Sequence, residues 1–383
     1  MGYPNDLDRS LDGYHYELPS DRIAQNPQEP RDHSRLLVVP SAQDVLHRQF
    51  RDLPDFLRPG DLLVMNDSSV IPARLHGHKP SGAAVEVLLL EARSPDTWLA
   101  LVRPGKRLLV GTTIEFTPSH QAPAAIAPAA ASRLSAEVIA VDRATGGRLL
   151  RFQLPPGTQS LLEILDHWGE MPLPPYITDS QAPPDRYQTV YARDPGSAAA
   201  PTAGLHFTPE LLDRLSSAGI GRAFITLHVG VGTFRPVAAA DITTHKMHEE
   251  WALVSAEVAD KIRTTRANGG RVFAVGTTAV RTLESAARSG QIEPFCGKTD
   301  LFIYPGYRWQ VVDGMITNFH LPRSSLMMLV GAFVGRSRLL DLYQAALDAP
   351  ATPYPDRYRF YSFGDAMLLL PGACIAPTNS AVV

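Results

Sequence analysis

The stretch RVFAVGTTAVRTLESA (residues 271–286) reads as a short apolar strand that passes through a Gly-Thr-Thr turn directly into a helix. Strand–turn–helix units of this kind, repeated, build a layered α/β domain. The same alternation continues on either side. Upstream, Thr208-Pro209-Glu210 opens a helix: the Thr hydroxyl accepts from free amides of the first turn, and Pro suits the first helical position. Leu211, Leu212 and Leu215 then share one face, and Gly219 ends the helix. RAFITLHV (222–229) is the next strand, and Ser255 caps a helix running to Gly269-Gly270. Earlier still, DLLVM (61–65) is a short apolar run of the kind that forms a buried strand, after a short helix ending at Arg58-Pro59-Gly60.

Between Val70 and Gln153 the texture changes. AVEVLLLE (84–91), TWLALVR (97–103), TTIEF (112–116), SAEVIAVD (135–142) and GRLLRFQL (147–154) are strand-like and separated by turns, with no amphipathic helix among them. Short strands at close spacing indicate a barrel or sandwich. The Ala/Pro-rich segment 117–133 reads as a flexible loop. The expected architecture is a large layered α/β domain, residues 1–66 and 155–383, with a smaller all-β, barrel-like domain, 67–154, inserted into it.

Composition sets limits. The chain has 383 residues, 44% hydrophobic and 20% charged, with a net charge of −3. That is ordinary for a globular protein and supplies no global basic field. Cys296 and Cys374 are the only cysteines, so neither a disulfide scaffold nor a Cys-based zinc site is expected, and a reducing cytoplasm fits. The most apolar stretch, Leu326–Val334, is nine residues, where a spanning helix needs about 20. MGYPNDLDRS lacks the layout of an export signal. No membrane partner is expected.

Familiar nucleotide motifs fail. Gly297-Lys298-Thr299 ends like a P-loop, but Ile292 stands where its first Gly belongs. His228-Val-Gly230-Val-Gly232 starts like a dinucleotide fingerprint and breaks at Arg235. His245 and His248 do not make a helical metal pair, and no third ligand is evident, so no metal is expected. Three other features are better candidates. The turn Gly276-Thr277-Thr278 feeds a helix N-terminus, where an anion could sit, although either Thr could equally cap its own helix. The small-residue loop Ala200–Thr208 contains Thr202 and Gly204 and places His206 before a helix start. The ring-rich run Tyr304–Trp309 precedes Asp313, Asn318 and His320.

Taken together these stretches resemble a known family, the S-adenosylmethionine:tRNA ribosyltransferase-isomerases of queuosine biosynthesis. The resemblance is carried by YELPSDRIAQNPQEPRDHSRLLVV (16–39), LRPGDLLVMNDSSVIPARLHG (57–77), YQTVYARDPGSAAAPTAGLHFTPELL (187–212), TLHVGVGTFRPV (226–237), HKMHEEW (245–251), RVFAVGTTAVRTLESA (271–286), LFIYPGYRWQVVDGMITNFHLPRSSLMMLV (301–330) and YRFYSFGDAML (358–368). Ser69 stands where the family pattern carries Arg, and the Ala/Pro loop is an insertion.

The resemblance implies transfer of the ribosyl part of S-adenosylmethionine to the aminomethyl group of a 7-deazaguanine at the tRNA wobble position. The ribose rearranges and adenine and methionine are lost. S-adenosylmethionine is then a substrate, no separate cofactor or metal is expected, and the chain is expected to act as a cytoplasmic monomer. Protons next to a sulfonium are acidic, so the chemistry needs a base, and adenine departure needs an acid or a donor. His206, His228, His248 and His320 are the candidates, His206 first, with Asp313 and Asp365 as acidic alternatives. Arg235, Thr277 and Thr278 are candidates for the methionine carboxylate, and Asn66 and Asp67 for sugar hydroxyls. Thr202, Gly204, Tyr304 and Asn318 complete the expected substrate contacts. Candidate RNA-binding groups are Arg31, Arg35, Arg74 and Lys79, with Arg103, Lys106, Arg107, Arg357 and Arg359 as further basic residues. Two other classes compete: a transferase or hydrolase of free nucleosides, needing no basic groove, and a non-catalytic RNA-binding module built on the β insertion.

Overall fold

The structure, a computed structural model, describes residues 6–119, 133–143, 145–230, 237, 239–351 and 357–375. Two sheets organise it. In the larger, nine strands run in the order Phe295–Thr299, Glu250–Val254, Gly221–Leu227, Leu62–Asn66, Val272–Val275, Gly314–Asn318, Ala366–Leu369, Arg35–Val39, Leu46–Gln49. The four from Gly221–Leu227 to Gly314–Asn318 are mutually parallel. Their residues are apolar almost without a break, because both faces are covered. One face packs on helices Ala256–Ala267, Thr277–Ala286, Ser325–Val334 and Arg336–Asp348. The other packs on helix Pro209–Ser217 and on the 3-10 segments Phe50–Phe56 and Thr202–His206. The layered α/β class expected from the alternation is what forms.

The helix signals act as anticipated. Thr208 Oγ1 accepts from the Leu211 amide at 3.1 Å, and Ser255 Oγ from that of Val258 at 3.2 Å. The short helix before Gly60 is a 3-10 helix with Pro54 inside it. Proline removes a donor and resists a regular α-turn, which accounts for the tighter form.

The second sheet closes on itself. Strands Arg74–His78, Ala84–Ser94, Thr97–Arg103, Arg148–Gln153, Ser135–Val141 and Thr113–Phe116 follow one another, and the last pairs back with the first. Inward residues alternate with outward ones along Thr113–Phe116 and Arg148–Gln153, as a barrel of small radius requires. Val87, Trp98, Ile114, Val138 and Phe152 fill the interior, and Leu161, Leu165 and Trp168 add to the same core. The segment Gly169–Glu170 pairs with the barrel strand Arg74–His78. The Ala/Pro segment lies mostly outside the described residues.

One buried carboxylate pins a long loop to the large sheet's helical layer. Glu284, fully buried on helix Thr277–Ala286, accepts from the Tyr307 hydroxyl and from the backbone amides of Gln310, Val311 and Val312, each at 3.0 Å. Removing it leaves several buried donors unmatched, at about 1–3 kcal/mol each. Glu284→Ala is therefore expected to lower unfolding free energy by about 3 kcal/mol or more, measured by urea denaturation. A loss below about 1 kcal/mol would show that the loop finds other acceptors.

Candidate functional site

Open α/β sheets bind ligands beyond the carboxyl ends of their parallel strands. Here those ends carry polar groups in a row: His228 after Leu227, Asn66 and Asp67, Gly276 to Thr278 after Val275, and Asn318. Strands running the other way bring Glu250, Asp365 and, through the parallel partner of Asp365's strand, Ser34 and Arg35 to the same edge. The turn Thr202–His206 crosses over this edge. An added Cβ on Gly276 would lie 3.6 Å from Ala203 Cβ, and His206 bonds Ser34.

His206 is buried. Its Nδ1 lies 2.7 Å from Ser34 Oγ, and its ring stacks on Phe50 at 4.9 Å. Burial, with Arg359 nearby, drives its pKa down to about 3, while Asn318 works weakly in the opposite sense. The imidazole is neutral at physiological pH. Its Nε2 and Asn318 Oδ1 are both buried without a geometric hydrogen-bond partner. The Asn318 amide is anchored by donating to the Tyr361 carbonyl at 2.9 Å.

His228 differs. Its ring is half-buried, stacks on Trp251 at 5.3 Å, and would be met at 3.0 Å by any Cβ on Gly196. Burial lowers its pKa, and Asp194 partly restores it. Its Nδ1 has no partner.

Further unmatched buried atoms collect here: Ser68 Oγ, Thr189 Oγ1 and the Tyr191 hydroxyl. Native folds leave few such groups, so their gathering here makes this edge the candidate binding surface, although Trp98 Nε1, His167 Nδ1 and Arg338 Nε are unmatched elsewhere.

Helix Thr277–Ala286 begins at Gly276, whose φ of 88° suits glycine, and no side chain caps it. Neither Thr caps the helix. Thr277 is buried, and Thr278 Oγ1 lies 3.4 Å from the Asn66 amide nitrogen. First-turn amides therefore point into the edge region without a side-chain acceptor.

Several expected residues are committed elsewhere. Asn66 accepts from the amides of Leu227 and Ser68 and donates to the Leu227 carbonyl, so it ties strands together. Asp67 accepts from Thr226 at 2.8 Å and pairs with Arg193 at 2.7 Å. Asp365 accepts from the amides of Arg35 and Arg359. Asp313 requires correction: it precedes strand Gly314–Asn318, accepts from the Val272 amide, and sits with Asp61 and Arg271 at the opposite end of the sheet. His320 also departs. Met315 and Ile316 belong to cores on opposite faces, so by strand alternation Thr317 and Asn318 also face opposite ways. His320 bonds Thr317 at 2.8 Å, which puts it on the face away from His206.

Arg31 and Arg35 are corrected as surface cations. Arg31 is buried and donates to the Gln188 carbonyl at 2.6 Å. Arg35 is buried, donates to the Pro350 carbonyl, and lies 3.9 Å from the Tyr358 ring centre. Arg74 pairs with Glu86 at 3.1 Å. Lys79 donates to the Arg107 carbonyl, which brings it beside exposed Lys106 and Arg107. Arg103 and Arg357 are also exposed, whereas half-buried Arg359 donates to the Asn26 carbonyl at 3.1 Å. Tyr304 stands beside Phe302 at 5.3 Å, and Phe302 beside His245, with His248 three residues on. Thr202 and Gly204 are in the crossing turn, and Arg235 lies outside the described residues. Among the described residues no group of three or more His, Cys, Asp or Glu side chains is placed to hold a metal, and no helix is long and apolar enough to cross a membrane.

Sequence reading overlooked Ser34, Phe50, Thr189, Tyr191 and Trp251. Ser34, Thr189, Tyr191 and Trp251 lie inside the quoted motif stretches, but nothing local distinguishes them from ordinary polar or core residues.

Comparison with known proteins now bears on this geometry. A family model described as "Queuosine biosynthesis protein" matches residues 11–369. A Nostoc protein named S-adenosylmethionine:tRNA ribosyltransferase-isomerase is 61% identical, covering 96% of this chain and 93% of the relative. A Thermosynechococcus vestitus protein of the same name is 56% identical, covering 98% and 99%. The crystal structure of the S-adenosylmethionine tRNA ribosyltransferase from Thermotoga maritima is similar with a TM-score of 0.51 at 40% identity, covering 94% of this chain and all of that one. A match over nearly the whole length, at identities this high, means that the chain belongs to the queuosine biosynthesis protein family.

Proposed function

We propose that this chain transfers and isomerises the ribosyl moiety of S-adenosylmethionine onto the aminomethyl group of a 7-deazaguanine at the tRNA wobble position, releasing adenine and methionine. The observation that carries the reading is the carboxyl edge of the large sheet, along which lie two imidazoles held below their ordinary pKa by burial, an uncapped helix start and several unmatched hydroxyls. Family membership names the chemistry that such a collection serves. The same reading takes the enzyme to be a cytoplasmic monomer, with S-adenosylmethionine as substrate and no separate cofactor.

The residues divide the work by their environments. The amides opening helix Thr277–Ala286 receive the methionine carboxylate, since a helix N-terminus favours an anion. Thr277 and Thr278 flank that position, and Thr202 and Gly204 form the wall that crosses above it. His228 removes the proton made acidic by the sulfonium. It is half-buried and neutral, and its depression is opposed by Asp194, so it retains basicity that His206 has lost. His206, held by Ser34 and Phe50, and Asn318, held by the Tyr361 carbonyl, offer their unmatched nitrogen and oxygen to the sugar. This reverses the ranking expected from sequence: the histidine in the tightest loop is too deeply buried to be a strong base. Adenine leaves with its bonding pair and takes up the proton that His228 removed. The neutral amine of the deazaguanine forms the new bond to the sugar carbon and gives up one proton to solvent, and the carbon–sulfur bond breaks with its pair going to sulfur, so methionine departs as the thioether.

The RNA must be held by exposed cations. Exposed Arg103, Lys106 and Arg107 at one end of the barrel, with half-buried Lys79 beside them, and exposed Arg357 at the large domain support such a contact. The wobble base must leave its stack to reach the sheet edge, as for other base-modifying enzymes.

Incubation with S-adenosylmethionine and tRNA carrying the precursor base is expected to release adenine and methionine together, measured by liquid chromatography. Release without tRNA would indicate a free-nucleoside enzyme, and tRNA binding without release a binding module. Raising salt from 50 to 200 mM is expected to weaken tRNA binding steeply, because phosphate contacts release counterions. The pH profile provides a test of the base. With His228 acting as base, kcat/KM rises as pH rises through a midpoint below 6.5. His228→Asn is expected to remove that limb and lower kcat about 100-fold or more. Persistence of the limb in this variant would assign it to another group.

A further inference from the structure

Tyr191 lies outside every role given above, yet its hydroxyl is among the most constrained polar atoms at the sheet edge. The oxygen is buried without a hydrogen-bond partner, as is Thr189 Oγ1 two residues earlier. A Cβ built on Gly204 would fall 2.0 Å from the Tyr191 oxygen and 2.8 Å from the Thr189 methyl. The hydroxyl therefore rests against the backbone of the turn that crosses the site, and only glycine at 204 permits this. The ring is fixed from below by Phe207 and Phe224, at 6.4 and 5.6 Å. Burial disfavours the phenolate, and Asp67, at the carboxyl end of the central strand, acts in the same direction. The group stays a neutral O–H donor across the physiological range.

Phe would fill the same ring position without burying an unmatched oxygen. A buried hydroxyl lacking a partner destabilises a fold, so stability alone gives no reason for it. We infer that Tyr191 is a further substrate-contacting residue, whose hydroxyl donates a hydrogen bond to an acceptor atom of the nucleoside part of S-adenosylmethionine. Thr189 shares the same small space and is its neighbour in that contact. The inference rests on the proposed function for the identity of the ligand.

Tyr191→Phe tests it, because the variant deletes one oxygen and nothing else. The expected result has two halves. The melting temperature stays equal to or rises above that of the unaltered protein. The affinity for S-adenosylmethionine, measured by calorimetry, falls about 5- to 10-fold, the worth of one neutral hydrogen bond, and kcat for adenine release falls further. Gly204→Ala serves as the second variant. Its methyl displaces the hydroxyl, so it too loses affinity. In the Gly204→Ala/Tyr191→Phe double variant melting recovers towards the unaltered protein, while affinity does not. Unchanged affinity and turnover in Tyr191→Phe would overturn the inference, and so would a marked loss of melting temperature, which would make the hydroxyl structural. If the unaltered protein binds S-adenosylmethionine but releases no adenine with tRNA, the proposed reaction fails while the affinity comparison still decides the role of Tyr191. If it does not bind S-adenosylmethionine, both fall.

Discussion

Everything at the site depends on how the central strand ends. Leu62 to Met65 are buried on both faces, and the strand becomes polar only at Asn66. That side chain takes the Leu227 amide at 3.0 Å and returns a hydrogen bond to the Leu227 carbonyl at 3.0 Å. It thereby locks the ends of two parallel strands in register, and it reaches Thr278 on the next strand–helix turn. A sheet coated with apolar side chains on both faces places its polar groups at the strand ends, Asp61, Arg271 and Asp313 at one and Asn66 at the other. The polar groups of the proposed site lie at this edge because the apolar interior cannot hold them.

Burial then sorts the histidines by basicity. Strand alternation sends Asn318 to one face and Thr317 to the other, and with them His206 and His320. Both imidazoles are driven down to about pKa 3, His320 by burial alone and His206 by burial together with Arg359. His228 escapes that fate because it stands past the strand end, half-exposed over Trp251 with Asp194 nearby. Three similar residues thus fall into two kinds by position alone, two strongly suppressed and one less so.

The cations show the same sorting. Arg31 and Arg35 are drawn inward to satisfy backbone carbonyls, a task that guanidinium's several donors perform well. Arg281, paired with Glu250, does likewise beneath the edge, where Glu250 also accepts the Gly230 amide. Lys106 and Arg107, left facing solvent, lie in the short turn after barrel strand Thr97–Arg103. A near-neutral protein can therefore present a basic surface locally without a basic composition.

Local sequence determined a good deal by itself. The alternation around 208–286, the caps at Thr208 and Ser255, the closely spaced strands of the barrel and the motif stretches were all legible, because each depends on interactions within a few residues. Tertiary structure alone decided which of these residues meet. Ser34 and His206 are 172 positions apart in the chain, and Tyr191 finds Gly204 only through the crossing turn. It also carried Asp313 to the far end of its strand and His320 to the far face. The reason is physical: strand direction, alternation and burial set a side chain's environment, and these are properties of the assembled sheet rather than of any short segment.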